Sequence, residues 1–333
     1  MQAEELVEDG IYGDFEVAYP DGSWQPFEGA VELLSLDELD TLPKALLKRV
    51  ESVALVGDTL LDWNRYEVWE DWDAMDWQDE NAQPGLILYD RETGEESPVA
   101  LGFVTDLSIF SELTGLRELC LYAQPLESLD GVQALESLEE LELMMSPHLT
   151  DASAAFALPE LRVLRLRDSA VTSIQGVQNL RELCFLDIFH TRVADLTPLT
   201  GCDFTTASEQ GGFQLDTADL PCEDFSPLAS IPEYRFLCLN NMDSTLWAPA
   251  LEGCVVHRFG ATGAGWTNES FAAFVGQHPE LEEIEVSWSM ELTDLTPLLQ
   301  LEKLTLVHLN RQMEAAIDSL SGQELRFELR IDD

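Results

Sequence analysis

Four tryptophans, Trp63, Trp69, Trp72 and Trp77, stand in one acidic stretch among Asp62, Glu67, Glu70, Asp71, Asp73, Asp76, Asp79 and Glu80. Each indole covers about 150–250 Å², and a monomer seldom leaves more than a few hundred Å² of apolar surface in one patch. The rings are therefore either packed or part of an interface, and burial cost favours a loop folded over the amino end of the body above a free contact arm. The carboxylates offer oxygen ligands, but the calcium-loop order of alternate ligands, central glycine and terminal glutamate is missing, so no metal is assigned.

Reaction chemistry finds less support. No G-x-S-x-G elbow, H-E-x-x-H pair, phosphate-binding glycine loop or dinucleotide fingerprint occurs. His148, His190, His257, His278 and His308 fall at unrelated phases of the chain and make no metal spacing. Neighbouring carboxylates are so common here that a pair says nothing about acid–base work. The expectation is a non-enzymatic protein without a cofactor.

The elements that must position these residues repeat. LTGLRELCLYAQ from Leu113, LESLEELELMMS from Leu135, LPELRVLRLRDS from Leu158 and LRELCFLDIFHT from Leu180 are separated by 22, 23 and 22 residues. Self-similarity at such a period marks a solenoid. Between the L-x-L strands recur Asp195-Leu196-Thr197-Pro198-Leu199, Asp224-Phe225-Ser226-Pro227-Leu228 and Asp294-Leu295-Thr296-Pro297-Leu298. Thr or Ser is expected to cap a short helical turn there, with Pro at its first position. Leu129-Asp130-Gly131-Val132 and Ile174-Gln175-Gly176-Val177 hold the same place in sister repeats.

These motifs resemble the leucine-rich repeat family, in particular the bacterial class with 22-residue repeats to which internalin-type domains belong, over most of the chain. The resemblance implies an α/β fold: a right-handed leucine-rich repeat solenoid with a parallel concave β-sheet and short helical or irregular convex segments. The family's usual asparagine is replaced by Gln124, Ser146, Ser169, Thr191, Ala218, Met242, Thr262, Ser289 and Gln312. Hydroxyls or water must then satisfy part of the turn backbone.

The inward pairs read Leu119/Leu121, Leu141/Leu143, Leu164/Leu166, Leu186/Ile188, Phe213/Leu215, Leu237/Leu239, His257/Phe259, Ile284/Val286, Val307/Leu309 and Phe327/Leu329. Val53/Leu55 and Leu86/Leu88 read as earlier strands separated by insertions. This places an amino-terminal cap at 1–44 and the solenoid at 45–333, with the acidic Trp-rich insertion at about 56–84 and a terminal strand at 324–331. In the cap, Pro20 to Ser23 reads as a turn, and Ser35-Leu36-Asp37-Glu38 as a helix start with capping-box spacing.

Strand alternation turns another set outward on the concave face. It includes Tyr122, Glu142, Met144, Arg165, Arg167, Phe185, Asp187 and Phe189. Aromatic, Met and Arg residues are typical of interface centres. The competing reading is ladder stability, with Arg165 and Arg167 paired to Glu142 and Asp187. A protein-binding face formed by these eight residues and the four tryptophans is favoured.

Charge narrows the partner. The chain carries 64 acidic against 17 basic residues, a net charge of −47, and its lysines are Lys44, Lys48 and Lys303. Nucleic acid and anionic membranes are poor partners for such a body, and a basic protein is a natural one. Solubility alone is the bland alternative. No long apolar run reads as a membrane helix, and MQAEELVEDG lacks the pattern of a secretion signal, so a cytoplasmic location is expected. Cys120, Cys184, Cys202, Cys222, Cys238 and Cys254 form no disulfide framework, and Cys202 and Cys254 stand where the repeat takes leucine. The expected function is a protein–protein interaction module, such as an inhibitor or immunity-type protein capturing a basic protein. The alternatives are an adaptor whose acidity is only solvating, or a surface adhesion protein.

Overall fold

The computed structural model describes residues 6–8, 15–18, 24–26, 30–33, 35–70 and 85–332. The chain divides into two compact units, residues 1–170 and 171–333.

In the first unit, β1 (Leu6–Glu8), β2 (Phe15–Ala18) and β3 (Trp24–Pro26) pair antiparallel. Extended strands thus flank Pro20–Ser23, itself outside the described residues. The next helix, Glu38–Thr41, follows Asp37 without a side-chain cap bond, so the spacing from Ser35 does not close into a capping box. The solenoid sheet begins with β4 (Ser52–Val56), and Gly57 at φ 59° turns the chain back into β5 (Thr59–Leu60). A Cβ at Gly57 would stand 2.5 Å from the Ala100 carbonyl oxygen, so the turn admits glycine alone.

A separate antiparallel sheet follows, formed by β6 (Tyr66–Glu70), β7 (Leu86–Asp90) and β8 (Glu96–Pro98). Leu86 and Leu88 therefore belong to this insertion and not to an early coil, because alternation of period two looks the same in a hairpin and in a coil. The coils resume with β9 (Glu118–Tyr122), β10 (Glu140–Glu142) and β11 (Val163–Arg165), parallel, with Val53, Leu119, Leu141 and Leu164 in one lateral row. Leu119, Leu121, Leu141, Leu143, Leu164 and Leu166 are fully buried, each contributing about 1.5–3 kcal/mol of burial.

The second unit repeats that sheet with β12 (Phe185–Asp187), β13 (Phe213–Asp216), β14 (Glu233–Cys238), β15 (Val255–Gly260), β16 (Glu283–Glu285), β17 (Leu306–Asn310) and β18 (Glu328–Asp332). All six neighbouring pairs are parallel, and Leu186, Leu215, Leu237, Phe259, Ile284, Val307 and Leu329 share one row. The inward pairs are accordingly Leu215/Thr217 and Phe259/Ala261, and register sets Leu329 and Ile331 beside Val307 and Leu309 with Ile331 exposed on the last strand, in each case two residues later than the sequence pattern places them. A small or polar second residue hides the L-x-L signal in the first two. A two-residue slip keeps every side chain on its face, so nothing in the polarity pattern exposes it.

The convex turns are 3-10 helices at Thr197–Gly201, Ser226–Ser230 and Thr296–Gln300, each with Pro in its first two positions. Their caps are the preceding aspartates rather than Thr or Ser. Asp195, Asp224 and Asp294 accept the backbone N–H of Thr197, Ser226 and Thr296 at 2.8, 2.9 and 2.9 Å. The hydroxyl residue is already helical, so the orphan N–H it carries must be met from two residues upstream. In the sister repeats Gly131 and Gly176 precede the turn at φ 100° and 111°, and their own N–H groups donate to Gln133 and Gln178 Oε1 at 3.2 and 3.0 Å.

Inside the coil turns, Gln124 replaces the asparagine most fully. Its Oε1 accepts from the N–H of Phe103 and Val104, and its Nε2 donates to the Gly57 carbonyl at 2.6 Å. Ser169 and Thr191 donate their hydroxyls to the carbonyls of Leu166 and Ile188. Asn240 and Asn310 also serve, accepting from the N–H of Thr262 and Trp288.

Candidate protein-binding surface

Within the first unit, register brings Cys120, Glu142 and Arg165 side by side. The Tyr122 hydroxyl donates to Glu142 Oε2, and Arg165 Nε lies 3.3 Å from Glu142 Oε1. Burial, and then the Glu142 charge, push the Tyr122 phenol and the Cys120 thiol upward, so both stay protonated. Glu140 is also raised, first by burial and then by Glu118 and Glu142.

The insertion covers this row. Leu86 and Val99, with Leu61, Val68 and Leu88, pack on Val56, Tyr122, Ala123, Met144 and Met145. Tyr122 and Met144 are left only 8% and 7% exposed. Glu70, at the end of β6, takes the Arg167 guanidinium at 2.8 Å, with both side chains largely covered. Sequence reasoning placed Arg167 on the face but missed Glu70 as its partner, because a contact between a coil and an insertion has no periodic signature.

Of the four tryptophans in the acidic stretch, Trp63 and Trp69 are described, and they lie on this covering layer. Trp63 sits 6.2 Å from the Tyr122 ring, and Trp69 stacks on Tyr89 at 4.9 Å while its Nε1 donates to Glu67. They remain 41% and 43% exposed. Trp72 and Trp77 lie outside the described residues. Around the described pair, Arg65 binds Asp90 and Arg91 binds Glu67, both at 2.7 Å. The Arg65 guanidinium holds the Asp90 carboxyl down at about 2.

Within the second unit, Phe185 is half-buried and shares a lateral row with Gln214, Phe236, Arg258, Glu283 and Leu306. Phe189 is buried with Ala218, Cys238 and Phe236. Asp187 is buried, and its Oδ1 accepts the Phe189 N–H at 3.0 Å, as Asp216 accepts that of Ala218 at 3.1 Å. Both carboxylates thus shape the turn after the strand. Arg258 binds Glu283 at 2.7 Å, and Glu233 meets His257 Nε2 at 2.9 Å.

Among the described residues no group of His, Cys, Asp and Glu is arranged to hold a metal ion. No described helix is long and apolar enough to cross a membrane. All six cysteines are free thiols, with Cys254 buried and Cys202 partly so. His278 is packed against Phe274 at 4.3 Å, and burial pushes its imidazole down to about 4.

These strands, registers and capped turns define a leucine-rich repeat solenoid carrying an antiparallel insertion. No family model and no curated protein matches the chain. Among solved structures it is similar to an internalin C2 from Listeria monocytogenes, at 23% identity over 64% of this chain and 69% of that one, with a TM-score of 0.35. An internalin, InlF, from the same organism is similar at 19% identity over 71% and 68%, with a TM-score of 0.42. The protein in a TLR13–ssRNA13 complex is similar at 15% identity over 69% and 45%, with a TM-score of 0.42.

Proposed function

We propose that this chain is a non-catalytic interaction protein of the cytoplasm that captures a basic protein, in the manner of an inhibitor or immunity protein covering a cationic cleft. The observation that carries this reading is the excess of 64 acidic over 17 basic residues. Such a charge steers a basic partner and repels polyanions. Surfaces suited to final docking are the half-exposed Trp63 and Trp69 on the insertion and the half-buried Phe185 and Phe236 on the second unit's strands.

Affinity capture from native cytoplasm, eluted by stepping the salt, tests it. Screening shortens from ~8 Å near 0.15 M to ~3 Å at 1 M. One dominant basic protein should elute early and lose its activity when the solenoid is added back. Retention of an acidic or neutral protein, or of nothing, would defeat the reading.

A further inference from the structure

We propose that the last strand of the second unit, β18, is a docking edge for a second copy of this chain, the two strands pairing antiparallel about Leu329. The second unit's parallel sheet ends at β18, and among the described residues no strand lies beyond it. The Glu328 N–H donates to the Thr305 carbonyl at 2.8 Å, and the Asp332 carbonyl accepts from the Arg311 N–H at 2.9 Å, with the register unbroken between them. Bonded residues alternate along a parallel strand, so Glu328, Arg330 and Asp332 direct their backbone groups to β17. Leu329 and Ile331 turn theirs to the open side. Such an edge is a template for another strand, and proteins blunt it with short strands, Pro, bulges or charge. The first unit's sheet ends in β5, which is cut to two residues. β18 has five, with no Pro and no bulge, and its charges complement those of its own copy.

The side chains select both the occupant and its register. Leu329 is half-buried, although Leu215, Leu237, Ile284 and Val307 in the same row are at most 1% exposed, and Ile331 is 38% exposed. A second copy covers this apolar pair with its own. When the strands are centred on Leu329, the two Leu329 residues exchange their edge-facing N–H and carbonyl groups. Each Glu328 then faces Arg330 of the second copy at a position without backbone bonds, where opposed side chains stand closest. Centring on Arg330 would set that arginine against itself and Glu328 against Asp332, and centring on Glu328 would oppose two glutamates. Charge therefore admits one register. Within one chain Glu328 and Arg330 lie 3.5 Å apart with side chains 66% and 53% exposed, so both can exchange partners. The net charge of −47 repels a second copy from afar, and salt shortens the reach of that repulsion to ~8 Å near 0.15 M.

Sedimentation equilibrium over a protein concentration series at physiological salt is the test, on the wild type, Glu328→Arg, Arg330→Glu and an equimolar mixture of the two variants. The wild type should show a monomer–dimer equilibrium. Each variant brings like charges face to face at both pairs and should weaken association about ten-fold. The two changes move the net charge in opposite directions, so a loss common to both excludes a general charge effect. In the mixture every facing pair is again opposite in sign, and a one-to-one dimer should form as readily as in the wild type. Both positions are exposed, and the unfolding temperatures of the variants should match that of the wild type. A wild type that stays monomeric across the series, single variants that dimerise undiminished, or a mixture that does not recover would overturn the proposal. The basic-partner reading depends on none of these outcomes.

Discussion

The two units raise parallel strands from the same repeat and use their concave faces in opposite ways. In the first, Tyr122 and Met144 disappear beneath the β6–β8 sheet, Glu142 is shared between a phenol and a guanidinium, and Glu70 fastens Arg167. In the second, Phe185 and Phe236 stay half open and the buried carboxylates Asp187 and Asp216 turn inward to their own backbone. Outward aromatics on a repeat sheet therefore do not by themselves mark a binding face, because an insertion can use them as its own floor.

The most forceful way to break this contrast is to truncate one aromatic in each unit. Tyr122→Ala removes a buried ring and a partner of buried Glu142, and should cost about 3–5 kcal/mol in denaturant unfolding. Phe236→Ala, at a half-buried position, should cost about 1 kcal/mol. Equal costs would mean that the insertion does not seal the first face.

His278 offers a sharper probe of the second unit, where one polar ring is kept buried by staying neutral. Its folded value is lowered from 6.5 to about 4, so the unfolded chain binds its proton first. Stability is full above pH 6.5 and should fall by about 1.4 kcal/mol per pH unit towards pH 4, roughly 3 kcal/mol in all. His278→Leu should lack that slope, and a variant that tracks the wild type through this window would refute the burial of the ring. Arg167→Met should act on the first unit alone. Leaving Glu70 without the guanidinium costs about 1–3 kcal/mol and should speed proteolysis between β5 and β9.

Much of this architecture was legible in the sequence. The leucine rows of β9 to β11 follow from period and spacing, and Asp-Leu-Thr-Pro-Leu announces the convex turns. What escaped was either small or non-local. Thr217 and Ala261 at inward positions carry too little hydrophobic signal to fix register, and Gly260 and Asn240 look like loop residues although they lie on or beside strands. The seat of Tyr122 under Leu86 and Val99 depends on a fold-back that no repeat encodes.

The smallest expected effect separates the ways in which the units hold four of their aspartates. Asp90 in the insertion is held at about 2, first by its bond from Arg65, whereas Asp195, Asp224 and Asp294 are lowered first by the hydroxyls and then by the backbone N–H groups of Thr197, Ser226 and Thr296. All four have folded values below the unfolded one, so each contributes fully above about pH 4 and loses its contribution as the pH falls through the folded value. Salt screens a guanidinium but not a neutral donor within bonding distance. A carboxyl-carbon NMR titration should therefore show Asp90 rising in 1 M salt while the three caps stay in place. Asp294→Asn keeps the accepting oxygen and removes the charge, so it should unfold like the wild type at pH 7 and lose less stability than the wild type between pH 5 and 3. If the caps moved with salt as Asp90 does, their depression would come from distant charge, and the local turn bond would not be what fixes the start of each convex helix.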